Sequence, residues 1–238
     1  MTRLKGIVFD KDGTLFDFHR SWSAWARSFL EGLAGGDRLR AARLAHAVGF
    51  DLERSAFLRG SPVISGTPGQ IAELLLPYLP GLTPAALISR INLSSAQAPM
   101  VEAVPLTALL AELRARGLRL GLATNDGEAP TMAHLDAAGI APYFDFVAGF
   151  DSGFGAKPDP GPLLAFAEHV GIEAACVAMV GDSRADLVAA RAAGMHAVGV
   201  LTGPAQETDL KPLADVVLPD VGALPFWLGF DRPTETAA

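Results

Sequence analysis

Short, uninterrupted apolar runs recur along the chain and alternate with longer segments in which the apolar residues have helical spacing. Such runs indicate strands that are buried on both faces, which is typical of a parallel sheet covered by helices. We assign strands to residues 4–9, 118–123, 146–149, 176–180 and 197–201, with a short edge strand at 215–218.

The segments that follow these runs predict helices that end in a similar way. Their helical patterns cover residues 106–116, 130–138, 160–170 and 186–193. A glycine follows each pattern, and glycine is a common helix stop because it adopts left-handed backbone angles without strain. Repeated strand–helix units predict an α/β fold with a doubly wound, parallel-sheet, Rossmann-like core.

A long interval between the first and second predicted strands breaks this alternation. It has helical patterns at residues 22–33, 39–48, 70–76 and 84–91 and no strong strand pattern. Because a structureless loop of this length would be unusual, we interpret residues 16–99 as an inserted α-helical cap domain.

The cap divides the core domain into residues 1–15 and 100–238. The chain crosses between core and cap near residues 16–18 and 94–100, which are candidate hinges. The polar tail from residue 232 is expected to be disordered.

Composition narrows the class of protein. Half of the 238 residues are hydrophobic and the formal net charge is −7, so the chain is not a disordered one, and nucleic acids and anionic membranes are disfavoured as partners. No apolar run approaches the roughly 18 residues that a membrane helix needs. The N-terminal residues do not resemble a signal peptide. The single cysteine, Cys176, lies in an apolar run and fits a reducing compartment, so we expect a cytoplasmic protein. We expect it to be a monomer or a homodimer.

Two carboxylates follow the first predicted strand, in the sequence Asp10-Lys11-Asp12-Gly13-Thr14. Buried together, they would repel each other unless a cation compensates their charge. Mg²⁺ prefers oxygen ligands of this kind. One carboxylate is then suited to attack phosphorus as a nucleophile, and the other to act as general acid and base.

Three further polar segments also follow predicted strands. Thr124 and Asn125 are suited to hold phosphoryl oxygens, and Lys157 is suited to offset phosphate charge. Asp182 is placed to bind a metal ion, and Asp186 either completes the surroundings of that ion or pairs with Lys157.

Each of these segments, taken alone, has an ordinary explanation as a surface turn, a helix cap or a solvated lysine. Ligands of open α/β sheets bind at the carboxyl ends of the strands, which is where all four segments are expected. Their joint occurrence therefore predicts a single site.

The four segments resemble the motifs of the haloacid dehalogenase superfamily, which are DxDGT, a strand-end Ser or Thr, a Lys before Pro, and GDxxxD. Here they read Asp10 to Thr14, Thr124, Lys157-Pro158 and Gly181 to Asp186. Residues 181–195 are similar to the phosphoglycolate phosphatase-like branch, and the helical insert matches the cap of that branch in position. The resemblance covers residues 1–15 and about 100–220.

The resemblance implies a Mg²⁺-dependent phosphatase that hydrolyses a small phosphorylated metabolite, such as phosphoglycolate, through an aspartyl-phosphate intermediate. It implies that Asp10 is the nucleophile and Asp12 the general acid and base, while Thr124 and Lys157 bind the phosphoryl group. The implied metal ligands are the Asp10 side chain, the Asp12 backbone carbonyl and Asp182, with Asp186 close by. At the less common Lys11, only the backbone is expected to matter.

Two other functions remain open. A phosphomutase would pass the phosphoryl group from the aspartate to another substrate hydroxyl rather than to water. A phosphate-sensing or partner-binding module would keep the fold without catalysis, although the presence of Asp12 and Lys157 argues against this.

The cap is expected to decide specificity. Its candidate substrate contacts are Arg20, Trp22, Trp25, Arg27, Arg54 and Arg59. We expect Arg59, which stands beside a glycine in the middle of the insert, to face the site and to bind an anionic group of the substrate.

Overall fold

The computed structural model describes residues 4–230, and the centre of this part is a six-stranded parallel sheet. In chain order its strands and those of a small separate ribbon are β1 (Gly6–Phe9), β2 (Phe50–Asp51), β3 (Ala56–Phe57), β4 (Arg119–Ala123), β5 (Phe146–Ala148), β6 (Val177–Gly181), β7 (His196–Val200) and β8 (Val216–Leu218). The tail from residue 232, for which we expect disorder, lies outside the described residues.

The helices follow the strands in the predicted alternation. They are α1 (Phe18–Ala34), α2 (Arg38–Ala47), α3 (Pro68–Leu75), α4 (Pro84–Ser95), α5 (Leu106–Ala115), α6 (Glu128–Ala137), α7 (Gly161–Val170), α8 (Arg184–Ala193), α9 (Glu207–Leu210) and α10 (Leu224–Trp227). Gly171 and Gly194 end α7 and α8 with left-handed backbone angles, at φ 66° and 71°. Glycine carries no Cβ, so it meets this conformation at little cost.

The strand order of the sheet is β5-β4-β1-β6-β7-β8, and every neighbouring pair is parallel. Alternate residues of β1 point to opposite faces. Ile7 and Phe9 belong to a buried cluster that includes residues of α5 and α6, whereas Val8 belongs to a cluster with α7 and α8. Helices thus cover both faces of a parallel sheet, and the predicted fold class is confirmed.

Residues 16–99, for which we keep the name cap, contain α1 to α4 and a hydrophobic cluster of their own. The buried members of that cluster run from Phe18 to Ala98 and include Leu44 and Leu87, both fully buried. The β2–β3 hairpin in the cap is not predicted by the sequence pattern. Each of its strands has only two residues, which is too short for an alternating pattern to be detected.

The two crossings between core and cap run side by side. Phe16 forms an antiparallel bridge with Glu102, and the Asp17 amide donates a 2.8 Å hydrogen bond to the carbonyl of Val101. The domain boundaries at residues 15/16 and 99/100, and the hinge role of these crossings, stay predictions. Between residues 4 and 230, no helix has both the length and the apolar character needed to span a bilayer.

Candidate active site

The predicted site residues meet at the carboxyl edge of the sheet, in a cavity between the core and the cap. The strand order places Asp10, after β1, between Thr124, after β4, and Asp182, after β6. Lys157 reaches the same cavity from the loop that precedes α7. We call the core side of this cavity the core wall, and the side chains that residues 16–99 contribute to it the cap wall.

Lys157 forms two close ion pairs in the core wall, with Asp10 and with Asp186. The Lys157 ammonium donates 2.6 Å and 2.7 Å hydrogen bonds to Oδ1 of Asp10 and to the carbonyl of Ala123, and it pairs at 2.6 Å with Oδ1 of Asp186. Burial works to lower the pKa of Lys157, but Asp10 and Asp186 outweigh it and hold the pKa above its usual value. Lys157 therefore stays a cation beside the Asp10 carboxylate.

Asp186 makes the ion pair with Lys157 that one of its two predicted roles requires. Its Oδ1 pairs with Lys157, and its Oδ2 accepts hydrogen bonds from the Ser183 amide (3.0 Å) and hydroxyl (2.7 Å), which caps α8. These contacts fix the Asp186 carboxylate, and through it the position of Lys157.

Three buried carboxylates, of Asp10, Asp182 and Asp186, bring oxygens within 4.8 Å of one another. Burial raises the pKa of Asp10 to about 7, even though Lys157 opposes the shift. Burial, and then repulsion by Asp10, raise the pKa of Asp182 well above its usual range. One lysine thus leaves an excess of negative charge that a divalent cation would offset, so these oxygen donors fit Mg²⁺.

The backbone around Asp182 leaves no room for side chains at two glycines. A Cβ at Gly13, whose φ is +82°, would lie 2.5 Å from Oδ2 of Asp182, and a Cβ at Gly203 would lie 1.7 Å from the same atom. Gly13 belongs to the first motif. Gly203 follows β7, so the end of a further strand also shapes the site. Its position after a predicted strand is the sequence signal for it, but it belongs to none of the four motifs.

Asp12 is not one of these three carboxylates and is held by two donors. The Lys11 ammonium lies 2.7 Å from each of its carboxylate oxygens, and the indole nitrogen of Trp22, on α1 of the cap, donates a 2.7 Å hydrogen bond to Oδ1. The orientation of Asp12 is therefore fixed from the core and from the cap together.

The expectation that only the backbone of Lys11 matters is wrong in structural terms. The Lys11 side chain is completely buried, and its ammonium also pairs with Asp126 at 3.3 Å and lies 3.3 Å from Nδ1 of His134. Burial works to lower the pKa of Lys11, but Asp12 and Asp126 outweigh it and raise the pKa. Lys11 is thus a charged group that contacts Asp12 from beneath the cavity.

His134 connects this charged group to the end of the cap. Its Nε2 lies 2.8 Å from the carbonyl of Ser95, the last residue of α4. A carbonyl only accepts, so Nε2 carries the proton, and Nδ1 is free to accept from Lys11. Burial, reinforced by the Lys11 charge, lowers the pKa of His134 and so favours this neutral form. His134 lies inside α6 and outside every motif, so the sequence gives no local signal for it.

Thr124 and Asn125 lie at the cavity but make different contacts. The Thr124 hydroxyl accepts a 3.1 Å hydrogen bond from the Asp126 amide and keeps its own proton to donate. The Asn125 amide nitrogen donates to the carbonyls of Ser65 (2.7 Å) and Lys157 (2.8 Å), and its oxygen accepts from the Lys157 amide (2.9 Å). A contact between the Asn125 amide and a phosphoryl oxygen would require one of these bonds to break, so here Asn125 positions Lys157.

The cap wall divides the predicted substrate contacts by chemical type. Trp22 and Trp25 line the cavity, whereas Arg20, Arg27, Arg54 and Arg59 do not. The expectation that Arg59 faces the site is wrong in this structure. Its exposed guanidinium instead donates a 3.0 Å hydrogen bond to Asp209, on α9 of the core.

Comparison with known protein families matches residues 4–194 to the haloacid dehalogenase-like hydrolases. Because this match covers most of the chain, the protein belongs to that family, and the resemblance found in the sequence is confirmed.

Relatives and solved structures agree with this assignment. The chain is 35% identical to a phosphoglycolate phosphatase from Neisseria gonorrhoeae over 224 residues, which are 93% of this chain and 91% of that protein. It is 43% identical to a phosphoglycolate phosphatase from Rhodospirillum rubrum over 127 residues, which are 53% of this chain and 52% of that protein. A crystal structure of a predicted phosphoglycolate phosphatase from Haemophilus somnus has a TM-score of 0.72 at 20% identity, covers 95% of this chain and 99% of its own, and shares the fold. The protein is thus a phosphoric monoester hydrolase of this family.

Proposed function

We propose that the protein hydrolyses a small phosphomonoester with the help of Mg²⁺, through a phosphoryl group carried on Asp10. The observation that carries this proposal is the Asp10 carboxylate, held at 2.6 Å by Lys157 within a group of three buried carboxylates. A carboxylate that is fixed beside a permanent cation, and surrounded by donors for a metal ion, is suited to attack phosphorus.

The reaction has two steps. First, an Asp10 oxygen attacks phosphorus, the bond from phosphorus to the substrate oxygen breaks, and Asp12 gives that oxygen its proton. Then a water molecule attacks the same phosphorus, Asp12 takes the proton of the water, and the bond between Asp10 and phosphorus breaks. Asp12 thus serves once as acid and once as base and ends as it began.

The other side chains hold the reacting groups. Lys157 offsets the charge of the phosphoryl oxygens, and Thr124 donates its hydroxyl proton to one of them. Mg²⁺, held by Asp10, Asp182 and the Asp12 carbonyl, would supply the positive charge that keeps Asp10 ionised and brings the phosphoryl group to it.

Phosphoglycolate is the first substrate to test, because the relatives described above are named phosphoglycolate phosphatases. The experiment is an assay of phosphate release from a panel of phosphomonoesters, with Mg²⁺ and with EDTA. We expect release that requires the metal ion. Isomer formation stimulated by a bisphosphate, instead of phosphate release, would point to a phosphomutase. Failure to release phosphate from any member of the panel would contradict the proposal and favour a phosphate-sensing module.

A further inference from the structure

The cap wall is aromatic and aliphatic. Its largest members include Phe18, Trp22, Trp25, Phe57, Ile71 and Ile91. Two of its polar members contribute carbonyls that are already used, since Ser65 accepts from Asn125 and Ser95 accepts from His134. The part of a substrate that extends from the phosphoryl group toward the cap therefore meets an apolar surface.

Hydrogen bonds hold the two indoles of this wall in place, and both side chains line the cavity. The Nε1 atoms of Trp22 and Trp25 donate to Asp12 (2.7 Å) and to the Ser94 hydroxyl (2.9 Å). Their ring centroids lie 5.0 Å apart in an edge-to-face arrangement, and Trp25 also stacks on Phe29 at 5.0 Å. Because both indole donors are used, these side chains offer apolar contact and stacking to a ligand rather than hydrogen bonds.

Cations are scarce around the same cavity. Among residues 4–230, Lys157 is the cationic side chain that lines it, and none of the cap arginines does. Lys157 is already engaged by Asp10 and Asp186. The core wall carries the further carboxyl groups of Asp12 and Asp126, which already pair with the buried Lys11, and of Asp182. A second anionic group on the substrate, such as a carboxylate, would thus lose its water next to carboxylates and without a partner, which is strongly unfavourable.

We propose, building on the proposed function, that the substrate is the phosphomonoester of an uncharged alcohol with an apolar or aromatic face. Its phosphoryl group lies at Asp10 and Lys157, and its face packs against Trp22 and Trp25. The site selects against a second negative charge, because none of the described side chains of the cap wall neutralises one.

Three substrates separate charge from apolar contact. Phosphoglycolate and 2-hydroxyethyl phosphate match in chain length and differ in a carboxylate against a hydroxymethyl group. Benzyl phosphate adds an aromatic ring. All three release alcohols that need a proton, so they differ mainly in what meets the cap wall.

With purified protein and Mg²⁺, we expect kcat/KM to be about tenfold or more higher for 2-hydroxyethyl phosphate than for phosphoglycolate, and again about tenfold or more higher for benzyl phosphate. If either ratio is one or less, this inference is overturned while the proposed function stands. If none of the three, nor 4-nitrophenyl phosphate, releases phosphate, the proposed function fails and this inference with it.

Two variants test the wall itself. Trp25→Ala should lower kcat/KM for benzyl phosphate about tenfold and for 2-hydroxyethyl phosphate much less, since only the ring packs on the indole. Leu39→Ala, at an exposed leucine of α2 away from the cavity, is the matched control and should change neither value. Equal losses on both substrates in Trp25→Ala would contradict a role of the indole in recognition.

The second variant, Ile71→Arg, adds a cation to the cap wall. We expect it to raise the ratio of kcat/KM for phosphoglycolate over benzyl phosphate about tenfold, because a carboxylate then has a partner. Circular dichroism and thermal melting verify folding. An unchanged ratio in folded protein would overturn the charge argument, and the wild-type substrate series decides the matter if this variant does not fold.

Discussion

The core wall of the cavity carries five carboxyl groups and the Lys157 ammonium, whereas the cap wall is mostly aromatic and aliphatic. Lysines pair with four of these carboxyl groups: Lys157 with Asp10 and Asp186, and Lys11 with Asp12 and Asp126. The cap wall instead offers packing surface and few free polar atoms. The two walls therefore divide the work: the core wall supplies groups for chemistry, and the cap wall selects what accompanies the phosphoryl group.

The division between core wall and cap wall is incomplete at Asp12, which both walls contact. It belongs to the core wall, yet Trp22 of the cap donates a hydrogen bond to it, and His134 ties its partner Lys11 to the carbonyl of Ser95. The orientation of Asp12, the proposed general acid and base, thus depends on contacts from both the core and the cap. Variants that act on one wall and not on the other can test how far the division holds.

The largest effect is expected at the nucleophile. Asp10→Asn should lower phosphate release with Mg²⁺ by about four orders of magnitude or more, because the amide is a poor nucleophile toward phosphorus. Asp136→Asn, at an exposed carboxylate of α6, is the control and should keep full activity. Activity of Asp10→Asn near that of the wild type would contradict the assignment of Asp10.

Lys11→Met is expected to have the second largest effect, and one that depends on the leaving group. Without the ammonium, Asp12 loses the contact that orients it, so kcat/KM for benzyl phosphate should fall roughly 10²-fold. For 4-nitrophenyl phosphate the loss should be much smaller, since nitrophenolate leaves without a proton. The measurement is the ratio of the two values, with thermal melting as a test of folding.

Asp12→Asn provides the comparison for Lys11. If Lys11 acts through Asp12, the double variant Lys11→Met/Asp12→Asn should lose little more than Asp12→Asn alone. Equal losses on both substrates in Lys11→Met, or full additivity in the double variant, would contradict a role of Lys11 that acts through Asp12.

A smaller effect concerns stability without metal. The pKa of Asp10 is about 7 in the folded protein and close to 3.8 in the unfolded chain. Its contribution to stability therefore decreases as pH rises from about 4 to about 7, because the folded state holds the proton longer. In EDTA, Asp10→Asn should melt a few degrees above the wild type at pH 7.5, and this difference should shrink at pH 5.

Magnesium provides the complementary measurement for that variant. Added Mg²⁺ should raise the melting temperature of the wild type at pH 7.5 and have less effect on Asp10→Asn, since binding requires the ionised carboxylate. A wild type that is more stable than Asp10→Asn at pH 7.5 in EDTA would contradict the excess of negative charge described above.

The smallest effect is expected at Arg59. Its ion pair with Asp209 is exposed, and such pairs contribute about 0–1 kcal/mol. Arg59→Ala should leave kcat and KM within about twofold of the wild type, and Asp209→Asn should behave alike. A tenfold rise of KM in Arg59→Ala alone would restore the original expectation that this guanidinium meets the substrate.

The core wall could be predicted from the sequence better than the cap wall, for a reason that follows from the same contrast. Asp10, Thr124 and Asp182 could be placed because parallel strands end at one edge, so a residue's distance from its strand end fixes its location. In the helical cap, periodicity shows which face is apolar but not whether that face covers the cap's own core or the cavity. Trp25 and Arg59 were therefore equivalent candidates in sequence, and only the structure separates them.

The buried side chain of Lys11 was missed for a related reason. A lysine between two site aspartates is expected to point to solvent, since charged groups are rarely buried without partners. Its partners Asp126 and His134 lie more than 100 residues away along the chain, as the separation of 123 residues between Lys11 and His134 shows. A pattern of neighbouring residues cannot indicate an ion pair between residues so far apart in the sequence.

The hydrogen bond from Trp22 to Asp12 also makes Trp22 an intrinsic fluorescence probe of the contact between cap and core. The Trp22 indole touches a carboxylate and lies 5.1 Å from the Lys11 ammonium, and charges so close to the ring shift its fluorescence. Trp227, on α10, does not line the cavity, whereas Trp25 lies beside Trp22 in the cap wall. Movement of the cap away from Asp12 would take the Trp22 ring away from the charges of Asp12 and Lys11. Stopped-flow fluorescence would therefore detect such a movement without an added label.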